Sequence, residues 1–114
     1  MPDILLIQPP IRDFYLTAKR TIPYGLACIA PALLKNGFSV KILDALATSK
    51  SRVCDLPREM EYLRKYYGRP DRSAFGLFHQ YRHFGYSFEH IGKMARESGA
   101  FLVGISSLFT PYMQ

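Results

Sequence analysis

The chain has 114 residues, of which 48% are hydrophobic, and this composition suits one domain with a modest core and argues against wholesale disorder. Its net charge of +6 is spread along the sequence without a block of like charges, so a solvated basic surface is favoured over a nucleic-acid partner. No apolar run approaches the length of a membrane span, and no basic region precedes the first apolar run as in a secretory signal.

The first half of the sequence predicts a strand, a proline-rich loop, a helix and a second strand. Residues 4–7 form an apolar run that ends near two prolines, which is typical of a strand buried on both faces. Pro23 suits the first turn of the following helix, and Gly37 suits its C-terminal end. The apolar side chains at helical spacing are Leu26, Ile29, Ala30, Leu33 and Leu34. Residues 39–44 supply the second strand, so we expect a parallel βαβ unit.

A second helix and a third strand are predicted near the end of the chain. Ser87 can cap this helix, and Gly99 can end it. Its apolar face carries Phe88, Ile91, Met94 and Ala95. Residues 101–105 then supply an apolar strand, so we predict an α/β fold with an incomplete parallel sheet in the order 2-1-3. Such a sheet is small, and we therefore expect this chain to be the leading part of a longer polypeptide.

Residues 46–86 form an insertion that is too long for a short return between parallel strands. Asp55 can cap a helical segment over residues 56–67, so we predict a helical or irregular excursion. Residues 75–86 are unusually aromatic and are interleaved with arginine and histidine.

Three interpretations of this aromatic stretch are open. His79 and His83 stand four residues apart, and on a helix they would share one face and could hold a metal. The aromatic rings beside Arg82 could instead stack on bases or on a planar cofactor. The interpretation that we favour is that the stretch packs over the sheet or against another part of the parent polypeptide.

Several polar residues are expected at the carboxyl edge of the sheet, where open parallel sheets bind ligands. Ser106, Ser107 and Thr110 could donate to an amide or a phosphate, or they could satisfy the backbone of neighbouring loops. Arg12 could pair with a phosphate or remain solvated. Asp44 could accept a hydrogen bond from a ribose hydroxyl, but the GxGxxG motif of NAD-binding sheets does not follow the first strand.

Four segments of the chain, residues 4–10, 22–26, 33–44 and 103–110, carry a family resemblance through the pattern PP…PxG…LxxxG…VxxxD. They resemble the opening of the cobalamin-binding domain that precedes the radical domain in cobalamin-dependent radical S-adenosylmethionine enzymes. The resemblance implies a flavodoxin-like, Rossmann-like fold, of which residues 1–114 would be an incomplete part. Cobalamin would lie over the carboxyl edge of the sheet.

The resemblance also implies cofactor contacts and partners. The candidate cofactor-binding residues are Pro9, Pro10, Arg12, Tyr24, Gly25, Asp44, Ser106, Ser107 and Thr110. A downstream radical domain of the same polypeptide, not contained in this chain, would bind S-adenosylmethionine and a 4Fe–4S cluster through a CxxxCxxC motif. The parent would be a methyltransferase or a ring-forming enzyme, and this chain would bind cofactor without turnover of its own.

One departure from the related domains concerns the lower face of the cobalt. The Asp-x-His-x-x-Gly signature of domains that ligate cobalt through histidine is missing from the sequence. The lower face would therefore be left free or be met by His79, His83 or His90.

Two other classes of function stay open. A non-enzymatic, receiver-like α/β module would need several acidic residues at the strand ends, where only Asp44 is available. A basic, aromatic nucleic-acid-binding module could be built on the insertion.

The remaining expectations concern association and compartment. The third strand would have a free edge, which predicts a homodimer through that edge, an exchanged strand, or marginal stability. Cys28 and Cys54 form no CxxC motif, which predicts reduced thiols in a cytoplasmic protein.

Overall fold

The computed structural model describes residues 1–15, 22–63 and 78–107, and these residues form two sheets with three helical segments. In chain order the elements are β1 (Ile4–Gln8), β2 (Ile11–Tyr15), α1 (Tyr24–Lys35), β3 (Val40–Asp44), β4 (Ser51–Val53), a 3-10 helix (Arg58–Leu63), β5 (Phe78–Phe84), α2 (Phe88–Ser98) and β6 (Leu102–Ile105). Among these helices, none combines the length and the apolar character that crossing a membrane requires.

The first sheet is parallel, and β1 lies at its centre in the order β3-β1-β6. Ile4 is opposite Val40 on one side and opposite Leu102 on the other, so all three strands run in the same direction. The predicted α/β class, the parallel pairing and the order 2-1-3 are therefore confirmed.

Both faces of β1 are covered by helices, which explains its uninterrupted apolar sequence. Successive side chains of a strand point to opposite faces. Ile4 and Leu6 pack with Leu26 of α1, whereas Leu5 and Ile7 lie on the face that α2 covers. All five residues of β1 are buried.

The apolar face of α1 is only partly covered. Leu26 is buried, and Ala30 and Leu33 pack beside it against the sheet. Ile29 and Leu34, which share the predicted face, are 49% and 55% exposed. A stripe of this helix therefore stays on the surface of the described structure.

Local sequence signals set the ends of both helices. Ser87 Oγ accepts a hydrogen bond from the backbone N–H of His90 at 3.2 Å, as the predicted cap of α2 requires. Gly99 and Gly37 follow α2 and α1 with φ of 70° and 87°, the left-handed region that glycine adopts most readily. Pro23 differs from the prediction, since it precedes α1 as the N-cap residue and the helix begins at Tyr24.

The second sheet is antiparallel, with the order β2-β5-β4. Phe84 of β5 lies opposite Ile11 on one side and opposite Ser51 on the other. The insertion was predicted as helical or irregular, and its 3-10 helix agrees with that, but strands β4 and β5 were not predicted. Residues 56 and 57 of the predicted helix are not helical, and residues 64–67 lie outside the described residues.

The reason that this sheet escaped prediction is its side-chain pattern. Neighbouring residues His83 and Phe84 of β5 are both buried, so the strand lacks the alternation that indicates a half-buried strand. Its partner β2 comes from the segment that was predicted as a proline-rich loop. Pairing between segments so distant in sequence leaves no local signal.

Candidate functional site

The carboxyl edge of the parallel sheet brings together several of the predicted residues. Gln8 is in register with Asp44, and Ile7 is in register with Ile105, so Ser106 follows at the same edge. The Ser106 N–H donates to the Ile7 carbonyl at 3.1 Å, which extends the ladder by one residue. The next hydroxyl, that of Ser107, belongs to an exposed residue.

Asp44 is held by bonds within the protein. The Gln8 side-chain amide donates to Asp44 Oδ1 at 3.1 Å, and the Leu46 backbone N–H donates to the same oxygen at 3.0 Å. The second of these bonds shapes the turn after β3, which is a common role of aspartate. Gln8 is only 5% exposed, so the pair is a fixed part of the edge.

The backbone at the start of α1 is accessible to a ligand. Tyr24 is 76% exposed, and a Cβ atom added to Gly25 would meet no atom within 4 Å. Because α1 connects neighbouring parallel strands, its N-terminal end lies toward their carboxyl edge. Pro9 is half-buried and Pro10 is buried, and these two prolines lead the chain from β1 into β2. Thr110 lies outside the described residues.

Arg12 lies in the second sheet and makes contacts within the protein. Its Nε donates to His83 Nδ1 at 3.1 Å, and its guanidinium carbon lies 4.9 Å from the centre of the Phe88 ring. The guanidinium is therefore positioned by a hydrogen bond and by a cation–π contact. Its predicted pairing with a phosphate stays a prediction.

His83 is the centre of a basic row across the second sheet. It lies opposite Arg12 on β2 and opposite Arg52 on β4, and it is 1% exposed. Burial lowers the pKa of His83, and although the hydrogen bond to the Tyr86 carbonyl raises that pKa, the two arginines lower it further. A neutral imidazole therefore sits between two cations.

The hydrogen bonds of His83 define its tautomer. Its Nε2 lies 2.8 Å from the Tyr86 carbonyl oxygen and must donate to it, while Nδ1 accepts from Arg12. Since both nitrogens are engaged, His83 is not available to a metal, and the interpretation of His79 and His83 as a metal pair on a helix is wrong for His83. Phe78–Phe84 is a strand, and the side chain of His79 lies outside the described residues.

A pocket of about 470 Å³ lies beside this row, where the segments after β3 and β5 meet. Its polar lining consists of Lys50, Ser51, Arg52, His83, Tyr86, Ser87 and His90. The pocket was not predicted as a site. The signals that could have found it are Lys50 and Arg52, two residues apart in an extended segment, and the Gly85 turn before the capped helix α2.

Gly85 joins the two segments that form this pocket. It is buried with φ of 108°, and an added Cβ would collide with the Ala45 carbonyl oxygen. The Gly85 N–H donates to the Lys50 carbonyl at 3.1 Å, and the Tyr86 N–H donates to the Ala45 carbonyl at 2.9 Å. Only glycine combines this backbone conformation with such a close approach.

The electrostatic character of the pocket is positive. Its lining contains two cations, Lys50 and Arg52, and no carboxylate. Neither cation forms an ion pair with a carboxylate within residues 1–15, 22–63 and 78–107. The N-terminal end of α2 adds the positive end of a helix dipole.

Comparison with known proteins identifies a methyltransferase that shares sequence with this chain. Over 108 residues, or 94% of the chain, the sequence is 32% identical to cytidylyl-2-hydroxyethylphosphonate methyltransferase from Streptomyces wedmorensis. The chain spans 17% of the length of that relative. No family model matches the chain, and no solved structure matches it.

Proposed function

We propose that this chain is the cobalamin-binding part of a radical S-adenosylmethionine methyltransferase. The observation that carries the proposal is the 32% identity over 94% of the chain to a protein named as a methyltransferase. It is supported by the parallel sheet in the order 2-1-3, on which Asp44 and Ser106 lie at the carboxyl edge. Ligands of open parallel sheets bind at this carboxyl edge.

The residues at this edge suit a large, flat cofactor rich in amides. The backbone at Gly25 is open to approach, and Tyr24 offers an exposed ring beside it. Ser106 and Ser107 can donate to amide oxygens or accept from amide nitrogens. Asp44, fixed by Gln8 and by the backbone of Leu46, keeps the end of β3 in place.

The cofactor and the residues of this chain would have different roles in the reaction. Cobalamin would supply the methyl-transfer chemistry, whereas the residues of this chain would bind and orient it. Since both nitrogens of His83 are engaged, His83 is no longer a candidate for the lower cobalt ligand. The downstream radical domain would bind S-adenosylmethionine and the 4Fe–4S cluster.

The name of the relative suggests a substrate class to test with the parent. That protein's name specifies a cytidylylated hydroxyethylphosphonate, so a phosphonate linked to a nucleotide is the substrate to test first with the full-length parent. We expect no turnover from the chain by itself.

The deciding experiment is a titration with hydroxocobalamin followed by visible absorbance, with this chain and with the full-length parent. We expect a saturable spectral change from both, weaker for the chain because part of a site makes only part of the contacts. The variant Gly25→Leu should weaken binding about tenfold or more by filling the open backbone.

The matched control is Ala27→Leu, which places the same leucine side chain at another exposed position of α1. Equal effects of the two substitutions would contradict a cofactor contact at Gly25. If hydroxocobalamin causes no saturable change in visible absorbance with the full-length parent, the cobalamin proposal as a whole is contradicted. Saturable binding of an oligonucleotide without binding of hydroxocobalamin would favour the nucleic-acid-binding alternative.

A further inference from the structure

We propose that the pocket between β4 and α2 binds the phosphate group of a nucleotide. This site goes beyond the cobalamin proposal, because none of the cofactor residues expected at the edge of the parallel sheet lines it. His83 and His90, which were considered as lower cobalt ligands, do lie in its lining. Its volume of about 470 Å³ falls within the range of small-molecule sites.

The charges around the pocket select an anion. Lys50 and Arg52 lie in the lining, and within the described ranges neither is neutralised by an ion pair. Arg82 is not part of the lining, but its Nη1 donates to Ser51 Oγ at 3.3 Å. Arg82 Nε is buried and has no hydrogen-bond partner among the described residues. Two cations and no carboxylate in the lining attract a phosphate and repel a metal ion.

The hydrogen-bond donors suit phosphate oxygens. Lysine and arginine form charge-assisted hydrogen bonds with phosphate, and the serine hydroxyls of Ser51 and Ser87 can donate as well. The pocket also lies at the start of α2, where the helix dipole favours negative charge. The one acidic residue in that first turn, Glu89, is exposed and is not part of the lining.

An aromatic pair in the pocket suits the base of a nucleotide in addition to its phosphate. The rings of Tyr86 and His90 line the pocket with centres 4.9 Å apart and planes tilted by 40°. Aromatic rings of this kind stack on nucleobases without a strong preference for sequence. A phosphate held by Lys50 and Arg52 would leave the attached nucleoside facing this pair.

Binding to the unmutated chain tests the site directly. The ¹⁵N-labelled chain is titrated with cytidine monophosphate, with inorganic phosphate and with cytidine, and amide shifts are followed. We expect saturable shifts at Ser51, Gly85, Ser87 and His90 with cytidine monophosphate, and at least about tenfold weaker binding of cytidine. The proposal would be overturned if both cytidine monophosphate and inorganic phosphate failed to shift these amides saturably.

Substitutions identify which charged side chains contribute to cytidine monophosphate binding. Lys50→Gln and Arg52→Gln should each weaken cytidine monophosphate binding about tenfold, since each removes a charged donor. Lys41→Gln and Arg58→Gln are the matched controls, because they remove the same charges from exposed positions outside the pocket. If the control substitutions weaken cytidine monophosphate binding equally, binding comes from the general positive charge of the protein, and the specific site is overturned.

Competition in the full-length parent distinguishes two sources of the nucleotide. Displacement of cytidine monophosphate by hydroxocobalamin would assign the pocket to the nucleotide tail of the cofactor. Simultaneous binding would assign it to a separate nucleotide ligand, and both outcomes support a phosphate site. Cobalamin binding without saturable nucleotide or phosphate binding would overturn the site and leave the cobalamin proposal standing.

Discussion

The two sheets of this protein differ in what their side chains do. All five residues of β1 are buried between two helices, whereas all three residues of β4 are exposed. The parallel sheet holds the apolar core, and the antiparallel sheet carries Arg12, Arg52 and the buried His83. The central strand of one sheet and the outer strand of the other thus differ in burial, and each can be perturbed separately.

The largest effect that this contrast predicts is a core truncation. Leu5→Ala should lower the free energy of unfolding by about 2–5 kcal/mol, because Leu5 is 2% exposed and its loss leaves a cavity. Val53→Ala on β4, where Val53 is 53% exposed, should lower it by less than about 1 kcal/mol. Urea unfolding measures both, and similar losses would refute this difference between β1 and β4.

The second prediction concerns the junction between the sheets at Gly85. Gly85→Ala should destabilise the protein by about 2–3 kcal/mol, through its left-handed backbone and the collision with the Ala45 carbonyl. Gly37→Ala is the control, since Gly37 has a similar φ of 87° but nothing within 4 Å of an added Cβ, and it should cost about 1 kcal/mol. Equal losses in urea unfolding would show that the close approach at Gly85 is unimportant.

The third prediction is a dependence of stability on pH in the antiparallel sheet. The pKa of His83 is lowered in the folded state, so on acidification the unfolded chain takes up the proton first. Above a pH of about 6.5 His83 is neutral in both states and its contribution is fully present. As pH falls below about 6.5 toward the lowered folded pKa, stability should decrease by at most about 1.4 kcal/mol per pH unit.

Unfolding between about pH 5 and pH 8 measures this slope against two variants. His83→Gln should remove most of the slope, while His90→Gln, at an exposed position, should keep it. A slope unchanged in His83→Gln would show that the buried row is not its source.

The fourth prediction sharpens the contrast within the parallel sheet itself. β6 forms the outer strand next to β1, and Leu102, Val103 and Ile105 are between 41% and 66% exposed. We expect a homodimer through this edge, because unpaired strand edges and exposed apolar side chains promote association. Ile105→Lys should raise the dimer dissociation constant about tenfold by placing charge on the edge.

Light scattering over a range of concentrations measures this association. Val53→Lys places the same charge on β4, the outer strand of the other sheet, and should leave the dimer intact. A monomer at high concentration, or a dimer lost in both variants, would contradict pairing through β6.

The parallel sheet was predictable because its signals are local. The apolar run of β1 requires two covering faces, Ser87 and Gly99 bound α2, and Gly37 ends α1. Each of these signals acts through a few neighbouring residues, so its physical effect can be inferred before the tertiary structure is known. The same signals placed Asp44 and Ser106 at one edge of the sheet.

The antiparallel sheet and the pocket were decided by tertiary structure. Arg12 meets His83 only because β2 pairs with a strand far along the chain, and this pairing engages both nitrogens of His83. Likewise, Lys50 and Arg52 face His90 only because Gly85 lets two segments approach closely. The sequence by itself determined the elements whose stability is local, whereas long-range strand pairing determined which charged and aromatic groups share a site.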